Sequence, residues 1–150
     1  MGQRHFKGTM PIGYRYCEAD YQPGYADTPS EDHLPKLEPE KQRAEIAIRE
    51  GDKRGRSRPH ALYLFESIDV AKRLLGETKG KQLYECWVDD SDILHRGDLR
   101  IYDEVVEALE NNEDPDDLIR QYWAGEEREA PRVELVVKRC TFVRKFVENT

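Results

Sequence analysis

The chain is poor in the residues that would tie it to a particular compartment or staple. Among its 150 residues are three cysteines, Cys17, Cys86 and Cys140, widely spaced and with no C-x-x-C pair. An odd count without that spacing argues against a disulfide framework and against a structural zinc site, so reduced thiols are expected. No apolar run approaches the roughly 20 residues of a membrane helix, and no signal peptide is legible. Net positive charge is also missing: the formal charge is −7, which excludes general coating of nucleic acid but not a local basic patch. Together these absences lead us to expect a cytoplasmic protein with neither membrane nor metal as partner.

What remains is a heavily charged chain, with 37% apolar and 37% charged residues. Its length suits one domain over 1–150, large enough to bury a core unaided. Residues 3–17 carry two short aromatic stretches broken by Gly8, Pro11 and Gly13, and read as one or two strands. Residues 20–39 hold Pro23, Pro29, Pro35 and Pro39 with no period, the pattern of a long loop. "PEKQRAEIAIRE" (39–50) reads as a surface helix with Pro39 in its first turn and a narrow apolar side of Ala44, Ile46, Ala47 and Ile48.

A basic connector, 51–60, leads into "ALYLF" (61–65), a short buried strand. Ser67 suits the N-cap of a helix whose Ile68, Ala71, Leu74 and Leu75 share a face, and Gly76 suits its stop. A strand is expected over 81–88, with helices over 98–112 and 114–125, the second capped by Asp114 with Pro115 in its first turn. "RVELVVKRCTFVRKFVE" (132–148) gives two strands, or one bent at Lys138-Arg139. Strands at both ends and in the middle, with helices between, make an α+β domain.

The connector places Lys53, Arg54, Arg56 and Arg58 within six residues. It is either a solvated loop or a phosphate-binding one, since arginine supplies fixed paired donors for phosphate oxygens. His5, His33, His60 and His95 have no metal-ligand spacing; His33 reads as inert and His95 as a turn residue. No G-x-S-x-G, Walker loop or H-E-x-x-H occurs. Glu134, inside the apolar stretch "RVELVV", must face either solvent from a sheet edge or a polar cleft. Tyr63 in "ALYLF" reads most simply as core.

Taken in order, "HFKGT", "ALYLFESIDVAKRLLG", "KQLYECWV" and the glutamate of "RVELVV" resemble the ADP-ribosyltransferase superfamily. In "HFKGT", Lys7 stands where that family expects histidine or arginine, with His5 as the alternative occupant. The resemblance implies a split β-sheet core with flanking helices, NAD as substrate, and transfer of ADP-ribose to a protein or nucleic-acid acceptor, as in a bacterial or phage effector or toxin. It also implies site residues. His5, Lys7, Gly8 and Thr9 would hold NAD from the first strand, and Arg58 and His60 would stand at the cleft mouth. Arg58 would meet phosphate there. Tyr63 would stack on nicotinamide, Ser67 would open the following helix beside the cofactor, and Glu134 would be catalytic. Two alternatives stay open: a non-catalytic nucleotide- or phosphate-ligand-binding protein of this fold, and an acidic interaction module or inhibitor acting through the helices at 98–120.

Overall fold

The computed structural model describes residues 12–18, 20–29, 31–54, 58–73 and 80–146. His5, Lys7, Gly8 and Thr9 lie outside the described residues, as do Arg56 and the end of the helix expected to close at Gly76. Seven strands form one sheet: β1 (Ile12–Cys17), β2 (Ala26–Asp27), β3 (Leu62–Phe65), β4 (Gln82–Trp87), β5 (Ile93–Asp98), β6 (Val133–Val137) and β7 (Cys140–Lys145). Their order is β2-β7-β4-β1-β3-β6-β5, and every pair is antiparallel. Four helices accompany them among the described residues: α1 (Pro39–Glu50), α2 (Ile68–Arg73), α3 (Leu99–Glu110) and α4 (Asp116–Trp123). The class is mixed α and β, as the alternation of patterns implies.

The join between β1 and β3 is narrow, with Tyr14 opposite Phe65 as its registered pair. On either side the ladders are longer: six residue pairs link β1 to β4, and four link β3 to β6. The break at Lys138-Arg139 separates two strands, as expected, but they are not neighbours. β6 lies between β3 and β5, whereas β7 lies between β4 and β2, so the break carries the chain from one half of the sheet to the other.

The two faces have different covers. Leu62, Leu64, Leu135 and Val137 point to one side and pack with Tyr84, Cys86, Cys140 and Phe142. The three cysteines are buried and unbridged. Helices α1, α3 and α4 form a second core of Ala44, Ile48, Ile101, Tyr102, Val105, Ile119, Tyr122 and Trp123. In α1 the apolar side differs from the expected one: Ile48 is buried but Ile46 is 44% exposed, and Glu45 takes the inward position instead. The helical turn sets this, because residue 45 lies on the stripe of 44 and 48 and residue 46 does not.

Local caps follow the sequence closely. Ser67 Oγ accepts from Val70 N–H at the start of α2, and Asp98 accepts from Arg100 N–H at the start of α3. Pro115 is the N-cap of α4 rather than its first helical residue, with Asp114 accepting from Asp116 N–H. The loop expected over 20–39 contains β2 and a 3-10 turn at Leu34–Lys36. His95 is a buried strand residue of β5, not a turn residue, and its Nε2 lies 2.9 Å from the Tyr122 carbonyl. Among the described residues no helix is long and apolar enough to cross a membrane, and no group of three or more His, Cys, Asp or Glu could hold a metal ion.

Gly97 of β5 is where the sheet makes room for a helix. A Cβ there would lie 2.4–2.7 Å from the Tyr122 ring and hydroxyl, inside van der Waals contact. Tyr122 is fully buried and cannot swing away. Gly97→Ala is therefore expected to cost about 1–3 kcal/mol, measured by urea denaturation. An unchanged midpoint would show that Tyr122 is not held against β5.

Candidate functional site

Strand periodicity brings the site together. Side chains alternate along a strand, so Tyr63 and Phe65 leave β3 on the side opposite Leu62 and Leu64. Antiparallel register sets Phe65 against Glu134 and Tyr63 against Val136. Tyr63 and Glu134 are thus diagonal neighbours on one face, close enough for long side chains to share an environment. On the other flank of β6, Gly97 pairs with Glu134. Its missing side chain admits the Tyr122 ring, whose hydroxyl donates to Glu134 Oε2 at 2.6 Å.

Arg58 occupies the space between this face and the helices. It sits in a 3-10 turn, Arg58–His60, directly before β3, and is 3% exposed. Its Nε and Nη2 donate to the two oxygens of Glu45 at 2.7 and 3.0 Å, a forked pair. Nη1 donates to Glu134 Oε2 at 2.8 Å and lies 2.6 Å from the Tyr122 hydroxyl. Glu45 also accepts from Tyr102 Oη at 2.7 Å and from Arg49 Nε at 2.9 Å. Arg49 in turn holds Asp32 through both oxygens, at 2.9 and 2.7 Å. Within this network Glu45, Arg58 and Glu134 therefore each meet opposite charge and hydroxyl partners, which offset the cost of burying them.

The direction of each proton equilibrium follows. Burial alone would raise the Glu45 carboxyl, but the field and hydrogen bonds of Arg58, with Tyr102 and Arg49, hold it at about 2. Burial, reinforced by the neighbouring carboxylates, pushes the Tyr63, Tyr102 and Tyr122 hydroxyls above their usual range, so they serve as donors. Glu45 ionises more readily folded than unfolded, so it stabilises the fold above the unfolded carboxylate pKa of about 4.5. That contribution is lost as pH falls from about 4.5 towards about 2. Thermal melts between pH 6 and pH 2.5 are expected to decline mainly below pH 4.5, and less steeply in Glu45→Gln.

Beside this network lies a cavity of about 460 Å³, lined by Arg58, Tyr63, Phe65 and Glu134 with His33, Lys41, Tyr102, Asp103 and Arg132 among others. Both bonds to Glu134 end on Oε2, and Oε1 takes neither. A second hollow of about 520 Å³ shares His33, Tyr63 and Phe65 as wall, and adds Arg15, Tyr21, Lys36 and Lys81. His33 is not inert. Its ring lies 4.6 Å from that of Tyr63 and its Nε2 3.9 Å from Glu45, and burial lowers its pKa. Tyr63 is half-buried, with the Arg58 guanidinium 4.8 Å from its ring centroid and its hydroxyl donating to the Arg58 carbonyl.

The expected residues divide accordingly. Arg58, Tyr63 and Glu134 meet at one cavity, and Glu134 takes the polar-cleft alternative, 6% exposed on an interior strand. Arg58 does not stand ready for phosphate at a cleft mouth, because its donors are already committed to two carboxylates. His60 is exposed and lines neither hollow, and Ser67 serves the α2 cap. Of the connector's cations, Lys53 and Arg54 line a separate groove beside α4 with Ile119 and Trp123. Sequence reasoning missed Glu45, Tyr102, Tyr122 and His33. A faint signal existed only for Glu45, a carboxylate on the inward stripe of α1. No protein-family model matches the chain, and no curated protein matches it in sequence.

Proposed function

We propose that the paired hollows bind NAD and that the protein transfers ADP-ribose from it to a protein or nucleic-acid acceptor. The observation that carries this reading is the convergence of Tyr63 and Glu134 on one cavity, with Glu134 Oε1 outside the Arg58–Tyr122 clamp. Two compartments with a common wall of His33, Tyr63 and Phe65 also suit a two-part ligand. Lys36 and Lys81 offer positive charge in the second, although Lys36 is paired with Glu31.

In this reading the bond between nicotinamide and ribose C1′ breaks and its electron pair leaves with nicotinamide. Positive charge develops on the ribose, and the Glu134 carboxylate is already fixed beside it, which lowers the cost of forming it. The acceptor nucleophile then bonds to C1′, and its proton passes to Glu134 Oε1. Arg58 and Tyr122 act as positioning residues by anchoring Oε2. Tyr63 stacks on the nicotinamide ring once His33 yields its place against it. A second reading, ligand binding without chemistry, draws on the same clamp, because a purely structural carboxylate is held in this way too.

The test uses NAD labelled in its ADP-ribose portion, a cell lysate, and the wild type beside Glu134→Gln. Label transfer with nicotinamide release by the wild type alone is the expected result. Equal transfer by both proteins removes Glu134 from the chemistry. NAD binding with no nicotinamide released selects the second reading.

A further inference from the structure

Because Arg58 is spent on Glu45 and Glu134, the cations left for a ligand of the Glu134 cavity are two others. Lys41, from the first turn of α1, lines the cavity and is exposed; it acts on Glu38, Glu40 and Asp103 through space but forms no close ion pair among the described residues. Arg132, just before β6, lines it too and is 39% exposed. Its Nη1 comes only within 3.9 Å of Asp103 Oδ2, at the outer limit of an ion pair and in contact with solvent. Two loosely held cations thus flank Asp103 at the rim of a cavity that also holds Glu134, in a chain whose net charge is −7.

Cations with donors to spare are what a bound anion needs. Arginine offers a planar fork and lysine a mobile point charge, a combination that suits phosphate oxygens. We propose that Lys41 and Arg132 form an oxyanion subsite at the mouth of the Glu134 cavity, for a phosphate group of the ligand. The inference rests on the reading above in taking this cavity as the ligand site, but it does not depend on any chemical step. The phosphate is either the pyrophosphate of the dinucleotide or one carried by the acceptor. Asp103 restrains Arg132 in the free protein and repels the anion.

The probe is inorganic pyrophosphate, titrated calorimetrically into the intact protein. Wild type is expected to bind it, more weakly as salt rises. Lys41→Ala with Arg132→Ala is expected to weaken binding by about tenfold or more. Asp103→Asn is expected to tighten it by about two- to fivefold. All three side chains are on the surface, so melting temperatures should stay unchanged and serve as the folding control. Competition with ADP-ribose assigns the subsite to the dinucleotide, and simultaneous binding assigns it to the acceptor; either supports the subsite. No binding by wild type, or equal binding by the double variant, overturns it. Nicotinamide release without pyrophosphate binding would reject the subsite alone, and pyrophosphate binding without nicotinamide release would reject the transfer reading alone.

Discussion

Replacing Arg58 with alanine is expected to cost about 3–5 kcal/mol of folding stability, the range for breaking a buried ion pair by removing one partner. Against a total of about 5–15 kcal/mol for a domain, that is a large share. The reason lies in what stays behind. Glu45 is fully buried and Glu134 nearly so, and each would lose the guanidinium that offsets its desolvation. Arg49 and Tyr102 would still hold Glu45, and Tyr122 would still hold Glu134, so the fold is weakened rather than abolished. Lysine would not rescue it, because one ammonium cannot bond both Glu45 oxygens and Glu134 in the directions the fork supplies. The decisive control is Glu45→Gln in the Arg58→Ala background. Removing the stranded charge should recover part of the loss in urea unfolding. Further destabilisation would mean that packing, not an unpaired carboxylate, sets the cost.

The other large effect is expected on turnover. Glu134→Gln should lower the rate of nicotinamide release by about 10²–10³-fold, the scale of a lost positioned base or charge stabiliser. Glutamine keeps the volume of glutamate and a carbonyl that can accept from Tyr122, so the melting temperature should fall far less than in Glu134→Ala. Comparing the two variants separates chemistry from folding. A folded Glu134→Gln protein that turns over NAD at the wild-type rate would rule out the proposed step. A glutamine variant as unstable as the alanine variant would identify Glu134 as a structural charge. Activity through Arg58 should behave differently: its loss would move Glu134 and lower stability together, as expected of a positioning residue.

How much of this was legible before the fold is seen most clearly at particular residues. Ser67, Asp114 and the Lys138-Arg139 break act within a few positions of themselves, and each does close to what its neighbours suggest. Glu134 could be singled out as a carboxylate in an apolar strand, but whether it faced solvent or a cleft depended on which strands flank β6. Arg58 shows the limit. In the chain it belongs to a basic run beside Arg54 and Lys53, and phosphate was a reasonable expectation. In the fold the run divides, with Arg58 turned inward and Lys53 and Arg54 left at the groove beside α4. Tyr102 and Tyr122 stand in segments that read simply as helices, and nothing nearby marked their hydroxyls for carboxylate partners.

Periodicity and end-capping, which are relations between near neighbours, therefore determined the class of this protein, most of its strands and helices, and the candidacy of Glu134; Tyr63 was a candidate only through the family resemblance. The tertiary structure alone decided that Arg58 meets Glu45 across 13 positions and Glu134 across 76. Strand order, antiparallel register and the space left by Gly97 control those meetings. A buried charge accepts whatever opposite charge the packing delivers, so its partner is a property of the fold and not of the surrounding sequence.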